Sequence, residues 1–454
     1  STLTGLTARL RARIFFAMIP RDIALGILSR LQEADHEAYL VGGCVRDELR
    51  GVAPQDFDVA TSARPEEVEA LFPQTHAVGK SFGVILVVEH GHTFEVATFR
   101  ADSDYTDGRR PNAVTFSDAQ TDASRRDFTV NGLFLDPLTD TVHDWVGGQE
   151  DLAQRRLRTI GNPAERFAED HLRLLRAVRF AAQLDFEIEP ATFAAVREMA
   201  GRITRVSAER IRDELLKLFR PPHAARGLDL LHESGLLAQV LPEMLPTVTC
   251  DQSPDYHPEG TVYNHIRLML SQLPTEAPAA LPWTVLLHDI AKPVTQSVGE
   301  EGRIHFYGHE KIGADMAQKI LQRLRFPNVE IEAIVQTVRY HMQFKDAPKM
   351  RKATLRRMLM RPTFDLELEQ HRLDCLGSHG LMNIYDFIRE QQTVLQEKPL
   401  LLEPLISGRD LIELGIEPGP ALGQLLDAVR DQQLAEAFST REEALAWAKE
   451  KADL

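Results

Sequence analysis

Residues 39–61 constrain the fold more than any other stretch of the chain. They read Tyr-Leu-Val-Gly-Gly-Cys-Val-Arg-Asp-Glu-Leu-Arg-Gly-Val-Ala-Pro-Gln-Asp-Phe-Asp-Val-Ala-Thr and join a glycine turn to paired carboxylates. Tyr39 to Val41 reads as a short buried strand. Gly42 and Gly43 then let the backbone turn tightly enough to bring amide N–H groups against a ligand before a helix starts at Val45, and such a turn favours anions. In Asp56-Phe57-Asp58-Val59 acids alternate with apolar residues, so on a strand both carboxylates leave one face, roughly 6–7 Å apart along the chain. Side chains of that reach can bridge two magnesium ions about 3.5–4 Å apart, an arrangement that activates an attacking hydroxyl and stabilises a leaving pyrophosphate. Alone, a Gly-Gly turn or an Asp-x-Asp strand is ordinary; together they read as a site for metal ions and a triphosphate.

At this spacing the two elements resemble the signature of the class II nucleotidyltransferases, the family of tRNA CCA-adding enzymes and bacterial poly(A) polymerases. The resemblance implies that Asp56 and Asp58 hold magnesium, and that Gly42, Gly43 and Arg46 cradle the triphosphate. Further motifs follow in the family's order. Glu95, in the alternating run Phe94-Glu95-Val96-Ala97-Thr98-Phe99-Arg100, resembles the third acid of the metal site. Arg109-Arg110-Pro111 lies in the polar segment 101–124, whose Asp, Ser, Gly and Pro content reads as a mobile loop. Arg125-Arg126-Asp127-Phe128-Thr129-Val130-Asn131 matches the next motif. There the resemblance puts Arg126 and Asp127 at the ribose, with Asn131 beside them among the nucleotide-binding residues.

Glu169-Asp170-His171-Leu172-Arg173-Leu174-Leu175-Arg176 reads as helix from its leucines and good helix formers. Asp170 and Arg173, three apart, would share a face. Without the family, the plain reading is an i,i+3 ion pair on a helix surface. Within it, Asp170 and Arg173, oriented by Glu169 and with Arg176 alongside, form an amino-acid template. An acceptor beside a donor matches the amino group and ring nitrogen of C and A and mismatches U and G.

At 454 residues and 43% hydrophobic content the chain supports several cores. Three cysteines, Cys44, Cys250 and Cys375, are too few and too scattered for a disulfide framework or a zinc site, which suits a reducing, cytoplasmic compartment. No apolar run approaches the roughly 20 residues of a membrane span, and residues 9–20 read as an N-terminal helix. The net charge of −15 is unusual for an RNA-binding chain, but charge is local. Residues 345–361 are strongly basic, and arginines also cluster at 155–158, 173–179 and 202–212, which suggests a basic stripe for one structured RNA on an acidic body.

After Pro221-Pro222 comes a second constellation, His265, His288-Asp289, His309, His341 and Asp374. Its order resembles an HD domain, a metal-dependent phosphohydrolase fold. The resemblance implies one divalent ion held by His265, His288, Asp289 and Asp374, with His309 and His341 able to hold a second, of transition-metal type. Ile406-Ser407-Gly408-Arg409-Asp410-Leu411-Ile412 and Pro418-Gly419-Pro420-Ala421-Leu422-Gly423 resemble the tail of HD-containing tRNA nucleotidyltransferases.

The expectation is therefore an α+β chain: a β-sheet catalytic head at 17–157, a helical neck at 158–232, an HD body at 233–395 and a helical tRNA-binding tail at 396–454. It would add CCA to tRNA from CTP and ATP, with no membrane and no obligatory protein partner. A CC-only or A-only enzyme, a poly(A) polymerase, and an HD phosphohydrolase with a nucleotide-binding head are the rival expectations.

Overall fold

The computed structural model describes residues 19–105, 111–254, 257–299 and 302–452. It is α+β, with a β-sheet head and a helical body. By compactness it divides into two units, one running to Glu214 and including Leu230–Val240, the other comprising Leu215–Asp229 and everything from Leu241 onward. The expected helix at 9–20 lies almost wholly outside the described residues.

The head is a seven-stranded sheet in the order β3-β4-β5-β2-β1-β8-β9. Its strands are β1 (Ala38–Val41), β2 (Asp58–Thr61), β3 (Thr75–Gly79), β4 (Val84–Glu89), β5 (His92–Thr98), β8 (Phe134–Asp136) and β9 (Thr141–His143). Alternation decides which residues face which core. Leu40, Val59, Val96, Ile85 and Val87 pack on one face against Ile23, Ile27 and Leu31 of the helix Pro20–Glu33. Val41, Ala60, Phe99 and Phe134 pack on the other with Ala119 and Ala123. Asp58 and Glu95 have the parity of this second face.

The segment 101–124 departs from the expected loop. Its backbone forms an antiparallel hairpin, β6 (Arg100–Tyr105) with β7 (Pro111–Phe116), followed by the helix Ala119–Ser124. Ladder hydrogen bonds satisfy a polar strand as well as an apolar one, so loop-like composition did not reveal it. Arg109 and Arg110 lie outside the described residues.

From Asn162 the pattern turns helical for a local reason. The Asn162 side chain accepts from the amides of Ala164 and Glu165, and Pro163 occupies the first turn. In the second unit, helices Val262–Ser271, Leu281–Leu287, His309–Arg323, Asn328–Tyr340 and Phe364–Gly377 surround a cluster of histidines. The last three helices, Gly408–Glu413, Pro420–Leu434 and Arg441–Lys451, share a small core of Leu411, Val429, Ala444 and Ala448. Among the described residues no helix is long and apolar enough to cross a membrane.

Gly148 fixes how the turn Thr129–Asn131 sits under the head, because a Cβ there would lie 2.2 Å from the Thr129 carbonyl oxygen and 2.9 Å from Leu133 Cδ2. Gly148→Ala therefore forces backbone to move and should cost about 1–3 kcal/mol or more of stability. Thermal unfolding checks it; an unchanged midpoint would contradict this packing.

Candidate active site and metal centre

Strand register builds the acid cluster. β2 and β5 run parallel with Val59 opposite Val96, so Asp58 falls beside Glu95 one residue earlier. Asp56 lies two residues before the first residue of β2 and is exposed along with Glu95. Burial, then the like charges of Glu95 and Asp56, push the Asp58 carboxyl up to about 6, with Arg126 opposing them. Carboxylates that repel one another at a half-buried strand end are a donor set suited to a divalent cation.

The glycine turn stands next to this cluster, since Val41 pairs with Asp58 across β1 and β2. Gly42 has φ 75°, and a side chain there would meet Arg126 Nη1 at 3.2 Å. Its amide is already used, donating to the Leu133 carbonyl at 3.2 Å. The anion-binding amides available are accordingly those of the first turn of the helix Gly43–Leu49.

Arg46, Asp127 and Asn131 were expected to face the nucleotide, and the structure buries all three. Arg46 holds both Asp47 carboxylate oxygens at 2.9 Å and donates to Asn131 Oδ1 at 2.7 Å. Asn131 donates to Asp127 Oδ1 at 3.2 Å, and Arg176 donates twice to Asp127 Oδ2, at 2.8 and 2.5 Å. Burial works against this carboxylate, yet Arg176 and Arg173 hold it down to about 2. These four residues brace the site from beneath. Arg126 keeps partial exposure, with Asp122 at 3.1 Å and the Phe134 ring 5.0 Å away.

The expected template helix is broken where it matters. The helix Pro163–Glu169 ends at Asp170, whose backbone is extended, and the next begins at Arg173. Asp170 and Arg173 form no ion pair with each other: Arg173 Nη1 meets Glu169 Oε2 at 2.5 Å, while Asp170 Oδ2 accepts from Arg210 at 2.9 Å. The i,i+3 rule misplaced them because it assumes continuous helix. Arg173 also donates to the carbonyls of Arg166 and Arg125. Three of its five N–H groups are thus engaged and two remain. Arg210 was missed as a partner of Asp170; the only signal was its place in an arginine cluster read as RNA-binding.

Several of those arginines are paired internally. Arg156 and Arg158 pair with buried Asp151, and Arg179 with Glu214. In the second unit Arg356 pairs with Glu436, Arg357 with Asp431 and Arg361 with Glu367. Within the basic stretch 345–361, Lys345, Lys349, Arg351 and Lys352 stay exposed.

The second unit gathers the six expected ligands around Asp289. Within 4.8 Å of one another lie one ligand atom each from His265, His288 and Asp289, and one each from Asp289, His309 and His341. His265 Nε2 is 3.0 Å from Asp374 Oδ1. His288, His309 and His341 each set Nδ1 against a backbone carbonyl, of Val285, Phe306 and Val338 at 2.9, 2.7 and 2.7 Å. That bond assigns the proton to Nδ1 and leaves the Nε2 lone pair for a metal. The Nε2 atoms of His265 and His288 are buried beside carboxylate oxygens, Asp374 Oδ1 at 3.0 Å and Asp289 Oδ2 at 3.1 Å, an arrangement that a shared cation would take up. Burial, then the neighbouring His288, keeps His341 down to about 3, so it stays neutral. Lys292, 2.7 Å from Asp289 Oδ2 and 2.6 Å from Gln252 Oε1, was not foreseen. Asp289, His309, His341 and Asp374 line a cleft of about 740 Å³.

The acid cluster has a measurable signature. Asp58 holds its proton to about pH 6 in the native chain, whereas an unfolded chain releases it near 4. Native stability therefore falls as pH rises from about 4 to 6. Asp58→Asn should melt above wild type near pH 7.5 without divalent ions, and the gap should close near pH 4. Equal melting at both pH values would contradict the mutual repulsion.

Three family models match the chain: the poly A polymerase head domain over residues 38–158, the probable RNA and SrmB-binding site of polymerase A over 185–247, and the HD domain over 256–370. The CCA-adding enzyme of Geobacillus stearothermophilus is 46% identical over 220 residues, 48% of this chain; there the chain spans about half, 54%, of that relative's length. The CCA-adding enzyme of Levilactobacillus brevis is 32% identical over 427 residues, 93% of this chain and 96% of its own. Among solved structures, the Bacillus stearothermophilus CCA-adding enzyme in complex with CTP aligns with TM-score 0.73 at 29% identity, covering 96% of this chain and 98% of its own. The Thermotoga maritima CCA-adding enzyme complexed with tRNA shares the fold, with TM-score 0.59 at 19% identity over 96% of this chain and 97% of its own. With sheet register, acid cluster, HD ligands and a full-length relative in agreement, the chain belongs to the CCA-adding enzyme family.

Proposed function

We propose that the chain builds or repairs the 3′-terminal CCA of tRNA, using CTP and ATP and releasing pyrophosphate. The observation that carries this reading is the register that sets Asp58 beside Glu95, with Asp56 adjacent and the Gly42 turn on the neighbouring strand. The relatives that bind CTP and tRNA supply the substrate classes. Three cysteines, all buried and unpaired, suit a cytoplasmic enzyme.

Asp56 and Asp58, with Glu95, would hold magnesium, which neutralises phosphate charge and favours attack by the tRNA 3′-hydroxyl on the α-phosphate. The rest of the work is positioning. First-turn amides after Gly42 receive the triphosphate, Arg126 stands at the turn, and Asp127 with Arg176 fixes the floor on which the ribose rests. Asp170 retains acceptor lone pairs beyond those used by Arg210 and the Leu172 amide, and Arg173 retains two donors, so the pair can read the amino group and ring nitrogen of C or A. In the HD body a divalent transition ion fits the His265, His288, Asp289 and Asp374 set, with His309 and His341 able to take a second.

Asp58→Ala should abolish nucleotide addition while leaving tRNA affinity within a few-fold, since the carboxylate serves the ions and not the RNA. Radiolabelled CTP incorporation and a filter-binding titration check the two halves; near-normal incorporation would sink the reading.

Base choice gives a sharper expectation. Asp170→Ala should raise UTP use relative to CTP five- to a hundred-fold in kcat/KM, the scale of about 1–3 kcal/mol for a lost polar partner. Unchanged selectivity would reassign residues 169–173 to a purely structural joint.

A further inference from the structure

Glu259 belongs to no ligand set so far described, yet it touches the histidine at the closed end of the HD centre. Its Oε1 lies 2.7 Å from Nδ1 of His265 and 2.9 Å from Nδ1 of His257. His265 is fully buried, with its ring 5.4 Å from that of His288 and its Nε2 toward Asp374. The other three histidines of the centre are held by backbone carbonyls 2.7–2.9 Å from Nδ1. His265 differs: its carbonyl contact, Gly377, is longer at 3.2 Å, and the short contact is a carboxylate. The carboxylate is itself nearly enclosed, its side chain 9% exposed and its Oε2 buried without a hydrogen-bond partner.

Burying a carboxylate is costly unless it is paired. Among the described residues, the side chains that Oε1 serves are the two imidazoles. A ring nitrogen that donates to carboxylate makes the opposite nitrogen a more basic ligand and fixes the ring's orientation. We propose that Glu259 is a positioning residue of the HD metal centre, holding His265 so that Nε2 presents its lone pair to a divalent cation, with His257 as the second arm of the same clamp. His257 lines the cleft.

The proposal concerns this chain's affinity for a metal and stands apart from nucleotide addition in the head. The test titrates Co²⁺ into the metal-stripped full-length protein, following the visible absorption of bound cobalt and competing with a chelator of known affinity. Glu259→Ala should weaken binding about 10- to 100-fold, the usual cost of losing a second carboxylate behind a ligand, and shift the absorption bands. Glu259→Gln keeps an acceptor oxygen without the charge and should fall between wild type and alanine, weakened about three- to tenfold. His305→Ala, which lines the cleft but touches no ligand, should bind like wild type. Should the alanine variant fail to fold, the glutamine variant decides. Cobalt affinity within twofold of wild type in Glu259→Gln, or an unshifted spectrum in folded Glu259→Ala, would overturn the assignment.

Discussion

The Asp127 carboxylate is the hub on which the head's site depends. It is almost without solvent contact and is reached from three directions: by Arg176 from the helix Arg173–Leu184, by Asn131 from the turn beneath the sheet, and by the amide of Phe128. Through Asn131 it is linked to Arg46, one helical turn past Gly43, and so to the anion-binding turn itself. Desolvation opposes the charge, but the pairing wins. A carboxyl held at about 2 against an unfolded value of 3.8 contributes stability that is present above about pH 4 and lost as pH falls toward 2. The size is about 2 kcal/mol, at one pKa unit per 1.4 kcal/mol. Removing Arg176 would cost more than that, because the buried charge would be left unmatched.

The same logic explains where an acidic chain puts its arginines. Arg166 and Arg173 donate to the carbonyls of Ser124 and Arg125 at the end of the helix Ala119–Ser124. Arg210 steadies Asp170, and Arg156 and Arg158 converge on the buried Asp151. The guanidinium fork suits these multiple, planar contacts. The side chains proposed to read the base are thus already locked by neighbours, which is what a template made of amino acids requires.

Much of this was legible in residues 39–61 and the motifs that follow, because strand alternation and glycine conformation are local properties. Asp58 and Glu95 share a face in the sequence pattern and in the sheet, although their adjacency needed the parallel register of β2 and β5. The HD ligands were legible as residue types in order. Their backbone carbonyl partners and Glu259 were not, since nothing in a sequence says which carbonyl or carboxylate will stand behind a histidine. The arginine clusters were legible only as charge, for a related reason. A run of positive charge does not disclose whether Asp431, Glu436 or Glu367 will fold against it. Asp170 and Arg173 were assigned to one helix because propensity is blind to a single extended residue at a helix junction.

On the proposed function, one site, with no nucleic-acid template, adds C, C and A and then stops. The direct measurement is the length and sequence of products made on a tRNA lacking its last three nucleotides. CTP alone should give two additions, ATP alone none in sequence, and both together a single product three nucleotides longer ending in CCA. A ladder of adenylates, or arrest after two nucleotides when both substrates are present, would contradict it.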